Sequence, residues 1–358
     1  MKVHVIGTGL IGTSIALALT RVGDDVTLED PSPTAAALAA DLGAGVVAHP
    51  EHPDVVVVAA PPDVAAKVVE LALVTWPLAV VTDVASVKGA ILSDLVAYAE
   101  ADLSRYVGSH PMAGKERSGA VAAQADLFEG RTWVVCPAPK SADSAVDLVA
   151  RLAASTGAAV VQMPADEHDA AVAAVSHVPQ LAASLVAARL RELPDGAIAL
   201  SGQGIRDVTR IAASDPLLWT QILSGNAAAI APVIDDLAED LSRVAEALRT
   251  ILDDSDGTGA RGVLARAIAD GQLGQSRIPG KHGAAPTAYA TWTVIVPDEP
   301  GSLARLFNDI GDAGINLEDL RLEHGVGAKI GLAEVMVLPA VADRLRGVLE
   351  EKGWRVHD

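Results

Sequence analysis

Cysteine is nearly absent from this chain. Cys136 stands alone among 358 residues, which excludes an internal disulfide framework and a thiolate metal cluster and matches a reducing compartment. Aromatic residues are scarce as well, with 2 Phe, 3 Tyr and 5 Trp, so the cores must be built from Ala, Val and Leu. Basic charge is in deficit: 27 Lys and Arg face 46 Asp and Glu, a formal net charge of -19. That balance argues against nucleic acid as a partner, because neutralising phosphates needs a basic face. It does not exclude small anions, which need only a local cluster of donors. By its sequence pattern the chain is expected to hold no apolar run of the roughly 18 residues that a membrane-spanning helix requires. The first residues read as a strand rather than a leader, so a soluble, cytoplasmic protein without a membrane partner is expected. No metal is expected.

What is present is an alternation of strands and helices. "KVHVI" (2–6), "DVTLED" (25–30), "DVVVVAAPP" (54–62), "LAVVTDVAS" (78–86), "RYVGSH" (105–110), "TWVVCP" (132–137) and "AAVVQMP" (158–164) read as strands. Helical patterns lie between several of them, which implies a doubly wound α/β sheet of the Rossmann type over residues 1–164. Residues 165–269 read as mainly helical, with a break at 253–259 and one short helix after it. Residues 270–288, rich in Gly, Pro and basic side chains, read as a linker. From 289 to 358 the pattern is strand, helix, strand, strand, helix, strand.

"GTGLIG" sets Gly7, Gly9 and Gly12 in the G-x-G-x-x-G spacing between the first strand and first helix. The glycines allow a tight turn, close approach to a pyrophosphate and close helix packing, while the backbone of Leu10 and Ile11 opens the helix toward the phosphates. Asp30, 23 residues after Gly7, is placed to hold ribose hydroxyls, with Glu29 the rival if the strand ends one residue earlier. No Arg follows within "DPSPT", so NAD is expected rather than NADP.

Ligands of such sheets bind beyond the carboxyl ends of the strands. Ser86 in "TDVASVKG" falls there, either capping a helix or offering its hydroxyl to a ligand. His110 in "GSHPMAGKERSG" falls there too, as a turn histidine or as a general base taking a hydroxyl proton while hydride leaves the same carbon. In "EHDAAVAAVSHVPQLAASL", Pro179 deletes the hydrogen bond to the Val175 carbonyl and should kink the helix, re-aiming Ser176 and His177. His177 then either lines a cleft or packs between helices. Arg206 and Arg210, four apart, should share a helix face and either grip carboxylates or form a solvated charged face. Asp207 could pair with one of them, and Asp215-Pro216 should start a helix carrying Trp219.

"GTGLIGTS", "TDVASVKG", "GSHPMAGKERSG", "DEHDAAVAAVSHVPQ" and "RDVTRIAASDPLLW" occur in the order and spacing of the prephenate and arogenate dehydrogenases of tyrosine biosynthesis, which residues 1 to about 250 resemble. "PDEPGSLARLFNDIGDAGINLEDL" resembles an ACT domain, a ferredoxin-like βαββαβ module. The resemblance implies NAD-dependent oxidative decarboxylation of prephenate to 4-hydroxyphenylpyruvate, with arogenate as the rival substrate. It implies that His110 accepts the C4 hydroxyl proton, that Ser86 contacts that hydroxyl or the nicotinamide, and that Arg210 holds a carboxylate. His177 would line the same pocket, with Glu116 and Asp207 at its edge. Arg206 stands where Lys is frequent, and Gln180 where a second His is frequent. Gly301 and Asn316 would contact a tyrosine effector, and the assembly would be a homodimer. A β-hydroxyacid dehydrogenase shares this architecture but relies on a helical-domain lysine, and residues 165–252 contain none.

Overall fold

The computed structural model describes residues 1–97, 102–114, 119–253, 257–279, 289–324 and 330–357. Two compact units divide the chain, Met1–Glu239 and Asp240–Asp358.

The first unit opens with β1 (Lys2–Ile6), α1 (Leu10–Arg21), β2 (Asp25–Glu29), α2 (Pro33–Asp41), β3 (Val46–Val47), β4 (Val55–Val58), α3 (Pro62–Thr75), β5 (Val80–Asp83) and α4 (Gly89–Ala97). The five strands form a parallel sheet in the order β3-β2-β1-β4-β5. Four consecutive valines make β4, all fully buried, because helices cover both faces of such a sheet and no polar alternation is needed. The two-residue β3 is too short to leave a pattern in the sequence.

Next come β6 (Val107–Pro111), β7 (Thr132–Pro137), α5 (Asp143–Ser155) and β8 (Ala159–Gln162), in the sheet order β6-β7-β8. A parallel bridge between Val81 and Tyr106 lays this group beside β5. The sequence implies that the doubly wound series simply continues, but β6 and β7 are antiparallel. A parallel return needs a crossover, usually a helix; among the described residues this link holds only the 3₁₀ turn Ala120–Ala122, so the chain turns back.

The helical part comprises α6 (Ala165–Val172), a π turn (Ala173–His177), α7 (Val178–Arg189), α8 (Asp195–Ile198), α9 (Gln203–Thr209), α10 (Pro216–Gly225) and α11 (Ala227–Asp253). Pro179, in the first turn of α7, lacks an N–H and crowds the carbonyl of Val175. The backbone absorbs this by widening into the π turn immediately before it, a device often found at functional sites. The run Ala165–Glu192 is long and apolar enough by composition to cross a membrane, which corrects the expectation that no such run exists. It nonetheless buries His168, Asp169, His177 and Gln180, all hydrogen-bonded within the protein.

In the second unit α12 (Ala260–Gln275) precedes β9 (Ala290–Pro297), α13 (Ser302–Asp312), β10 (Asp319–His324), β11 (Ile330–Val337), α14 (Pro339–Glu351) and β12 (Arg355–His357). Helix α12 runs six residues into the segment read as a linker. Its glycines 271 and 274 face open space, so they weaken the helix without breaking it. The βαββαβ order appears as expected, in an antiparallel sheet β10-β11-β9-β12. The two helices pack on a core that includes Val294, Leu306, Val335 and Leu345.

Candidate active site

The glycine loop follows β1. Gly7 has φ +100°, and a Cβ there would meet the Ala59 carbonyl oxygen at 2.4 Å; one on Gly12 would meet the Gly7 oxygen at 1.9 Å. Both are therefore glycines for the fold's own sake. At Gly9 the backbone is ordinary, φ -72°, and nothing lies within 4 Å of a built Cβ. That open space at the N-terminus of α1, flanked by the backbone of Leu10 and Ile11, fits the pyrophosphate of a dinucleotide. Asp30 faces the same loop, accepting from Thr8 N at 2.7 Å and Thr8 Oγ1 at 2.9 Å, while its other oxygen takes Ser32 N at 2.8 Å. Glu29, the rival acid, turns away toward His4 and His49.

His110 sits near the carboxyl end of β6 and is partly buried. Its Nδ1 lies 2.9 Å from His168 Nε2, and His168 Nδ1 lies 2.8 Å from Asp169 Oδ1. Asp169 also accepts from Lys88 N at 2.9 Å and Gly89 N at 2.7 Å, at the start of α4. With both rings neutral, these contacts set the order of donors and acceptors. A carboxylate only accepts, so His168 carries its proton on Nδ1 and presents a lone pair at Nε2. His110 must then donate from Nδ1, which leaves its Nε2 lone pair outside the chain of bonds. Burial first, then the neighbouring His168, Lys88 and His177, hold His110 well below the usual histidine range, so at neutral pH it is an uncharged base. Asp169 is held below the usual carboxylate range: burial opposes this, but the hydrogen bonds from His168, Gly89 and Lys88 outweigh it.

Beneath His110 lies a buried ionic network. Lys88 Nζ pairs with Asp83 Oδ1 and donates to the Ser109 carbonyl at 2.7 Å, gripping the peptide that leads into His110. Asp83 also accepts from Tyr106 OH at 2.7 Å, and burial followed by the Asp83 charge pushes that phenol well above its ordinary value. Ser109 Oγ bonds to the Asp83 carbonyl at 2.9 Å and accepts from Thr82 Oγ1 at 3.0 Å. Breaking one partner of a buried pair of this kind costs about 3–5 kcal/mol.

His177, buried at the end of the π turn, lies 3.1 Å from Asn226 Nδ2, which also donates to the Asp169 carbonyl at 2.8 Å. Asn226 therefore ties His177 to the relay. Trp219 on α10 meets the His177 ring edge-on at 6.1 Å, and Asp215 caps α10 by accepting from Leu217 N at 2.9 Å. Ser86 is half-buried in the loop after β5. The start of α4 is capped by Asp169 instead, and the Ser86 hydroxyl has no hydrogen bond to any described residue. Arg206 and Arg210 do not share an α-helical face. Helix α9 ends at Thr209, and Arg210 opens the 3₁₀ turn Arg210–Ala213. The cause is nonlocal: Gln180 Nε2 takes the Ile211 carbonyl at 2.9 Å, Ser214 Oγ takes it at 2.8 Å, and Thr209 Oγ1 bonds back to Ile205 O at 2.7 Å. Both arginines are exposed, and Asp207 pairs with Gln203 at 2.7 Å rather than with an arginine. Glu116 lies outside the described residues. In the second unit Gly301 (φ +89°) lines a cavity of about 180 Å³ with Val296, Asp298, Leu303, Leu322 and Gly331, whereas Asn316 bonds to Glu318 away from that lining.

His168, Asp169, Lys88 and Asn226 were not identified as site residues from the sequence. Each carries its meaning through a partner 49 to 81 positions away, so no local spacing announces them.

A parallel sheet with a glycine loop, a helical second part and a partly buried, neutral histidine define a Rossmann-type dinucleotide-binding protein. Residues 15–162 match the family described as prephenate dehydrogenase, nucleotide-binding domain, and residues 164–258 match prephenate dehydrogenase, dimerization domain. The chain is 38% identical over 355 residues to the probable prephenate dehydrogenase NovF of Streptomyces niveus, covering 98% of each chain. It is 30% identical to the prephenate dehydrogenase of Bacillus subtilis, over 88% of this chain and 86% of that one. The crystal structure of prephenate dehydrogenase from A. aeolicus in complex with hydroxyphenyl propionate and NAD+ superposes with a TM-score of 0.67 at 27% identity, covering 78% of this chain and 98% of that one. The chain belongs to the prephenate dehydrogenase family.

Proposed function

We propose that this chain is an NAD-dependent prephenate dehydrogenase, forming 4-hydroxyphenylpyruvate and CO2. The observation that carries the reading is the His110–His168–Asp169 chain of bonds, 2.9 and 2.8 Å long. NAD, when bound, supplies the hydride acceptor. The glycine loop and Asp30 hold it, and the residues around His110 do the proton chemistry. His110 Nε2 takes the C4 hydroxyl proton, and the resulting imidazolium is stabilised through Nδ1–H by His168 and, one bond further, by the Asp169 carboxylate. This follows the general logic of a base oriented by a second group. Ser86 orients the same hydroxyl, Arg210 and Arg206 meet the substrate carboxylates, and His177 and Trp219 wall the ring, with Glu116 and Asp207 at the rim. Loss of the ring carboxylate as CO2 aromatises the ring and drives the step forward.

The test is NADH formation by the purified chain with prephenate and arogenate in parallel, each with NAD and NADP. Turnover of prephenate with NAD is expected; turnover of arogenate alone would assign the chain to the rival substrate, and reduction of NADP alone would overturn the role given to Asp30.

The domain plan follows: residues 1–164 for the nucleotide, 165–269 for substrate and dimer contacts, and 289–358 as an ACT-type regulatory module. The match to a dimerization domain supports a homodimer, as do Leu241, Leu248 and Leu252, exposed along one side of α11. The cavity beside Gly301 supports tyrosine as an effector there. Tyrosine should inhibit the full chain but not Ala304→Trp, which fills that cavity, while the uninhibited rate stays the same; inhibition of both proteins would move the effector elsewhere. Cytoplasmic residence is consistent with Cys136, whose thiol burial pushes up to about 12, out of reach of thiolate chemistry.

A further inference from the structure

One titratable cluster stands apart from the relay. The link between β3 and β4, residues 48–54, is too short for a helix, and it lays His49 and Pro50 against the sheet instead. His4, fully buried on β1, looks across at Glu29 on β2. His4 Nε2 and His49 Nδ1 each lie 3.3 Å from the same oxygen, Glu29 Oε2, and the three ligand atoms lie within 4.8 Å of one another. The Trp76 ring lies 4.9 Å from both imidazoles, held by its Nε1 bond to the Pro50 carbonyl at 2.8 Å.

We propose that His4, Glu29 and His49 bind one divalent transition-metal ion of the zinc, cobalt or nickel class. The spacing is the first argument. An N–H···O hydrogen bond prefers about 2.7–3.2 Å, and both contacts exceed that. Nitrogen and oxygen ligands at about 2.0–2.1 Å from a tetrahedral ion stand about 3.3–3.4 Å apart, the separation seen here twice.

Ring chemistry is the second argument. His4 Nδ1 is engaged by Thr27 Oγ1 at 2.9 Å, the kind of outer partner that orients a metal-bound imidazole. With its proton on Nδ1 toward Thr27, its Nε2 lone pair and the Glu29 carboxylate face each other as two acceptors, and a cation between them satisfies both. With the proton on Nε2, Thr27 Oγ1 donates to Nδ1 and the contact to Glu29 is only a long hydrogen bond.

Two imidazoles and a carboxylate suit this class of ion and leave a fourth position for water. Trp76 closes the apolar side, while the half-exposed Glu29 and His49 leave a way in. The ion fastens the 48–54 link to the sheet. It also steadies the glycine loop, because the Glu29 main-chain oxygen accepts Gly7 N at 2.8 Å.

The ligands lie 25 and 45 positions from His4, so the sequence offers no ligand spacing and the expectation of no metal came from local pattern alone. The test uses the full chain, stripped with a chelator and titrated with Co2+. One equivalent should bind with the visible absorption of nitrogen- and oxygen-ligated cobalt and quench Trp76 fluorescence, and Zn2+ should displace it. His49→Ala should keep the metal-free melting temperature and the dehydrogenase rate while weakening cobalt binding about a hundredfold. Glu29→Gln should weaken it comparably, and Trp76→Phe should lose the quench but keep the absorption. Absence of a cobalt spectrum with metal in large excess overturns the proposal. So does binding that is unchanged in both His49→Ala and Glu29→Gln.

Discussion

Replacing His168 by Phe removes the one acceptor that faces His110 Nδ1 and keeps a flat ring in the same space. In the resting protein His110 is neutral, and its Nδ1–H bond to His168 is an ordinary one of 2.9 Å. Once His110 has taken a proton, the same bond becomes charge-assisted and leads on to Asp169. Hydrogen bonds to charged groups contribute about 1.5–3 kcal/mol, and the variant forfeits that contribution as the proton arrives. A loss of that size slows kcat by about 10- to 150-fold. Dinucleotide affinity should not change, since the glycine loop and Asp30 are untouched. The acid limb of the kcat/KM profile should move as well. The lost bond favours the protonated ring over the neutral one, so its removal lowers the affinity of His110 for a proton and shifts that limb to lower pH. Steady-state kinetics over pH 5–9, with NAD binding measured separately, read both effects. A kcat within a factor of two of the parent, with an unmoved acid limb, would show that His168 is packing and not part of the base.

His110→Asn should bind NAD and substrate normally and lose about 10²–10⁴ in kcat, the usual worth of a general base; parent-like turnover would remove His110 from the chemistry. Gly9→Ala should melt like the parent, because its Cβ meets nothing within 4 Å, yet bind NAD about tenfold or more weakly because the Cβ occupies the phosphate approach. Gly12→Ala should instead fail to fold stably, and equal melting temperatures for the two variants would contradict the steric assignment. Arg210→Ala should raise KM for substrate far more than the Kd for NAD; an unchanged KM takes Arg210 out of carboxylate binding. Acid should destabilise the fold in two stages. His4, His110 and His177 are all held below 6.5, so the unfolded chain binds more protons and stability declines as pH drops below about 6.5. Asp169, held below 3.8, adds its own loss only as pH falls through that still lower value. Melting temperatures that stay level or rise from pH 6.5 to 5 would contradict the first stage.

What the sequence made legible follows the reach of the forces involved. The glycine loop was readable because its constraints act within six residues, and β4 was readable because four valines have one way to be buried. The βαββαβ order at the C-terminus was readable for the same reason, with period-two and helical patterns alternating cleanly. Placement of Arg210 was not, because the helix that should have carried it is cut short by Gln180, 31 residues before Ile211. Helix α12 overran the expected linker because glycines facing open space weaken a helix less than composition suggests. The relay was invisible for the plainest reason: the sequence shows a histidine at 110 and another at 168, and only the fold puts 2.9 Å between them.

Asp169 joins two tasks that are usually separate. One carboxylate caps α4 of the nucleotide-binding part through Lys88 N and Gly89 N, and also orients His168 on the helical part. The seam between the two family domains, at residues 162–164, is therefore crossed by the chain of bonds that holds His110. Chimeras that join the nucleotide half of one relative to the helical half of another should stay active only when the Lys88–Gly89 turn, His110 and the His168–Asp169 pair travel together.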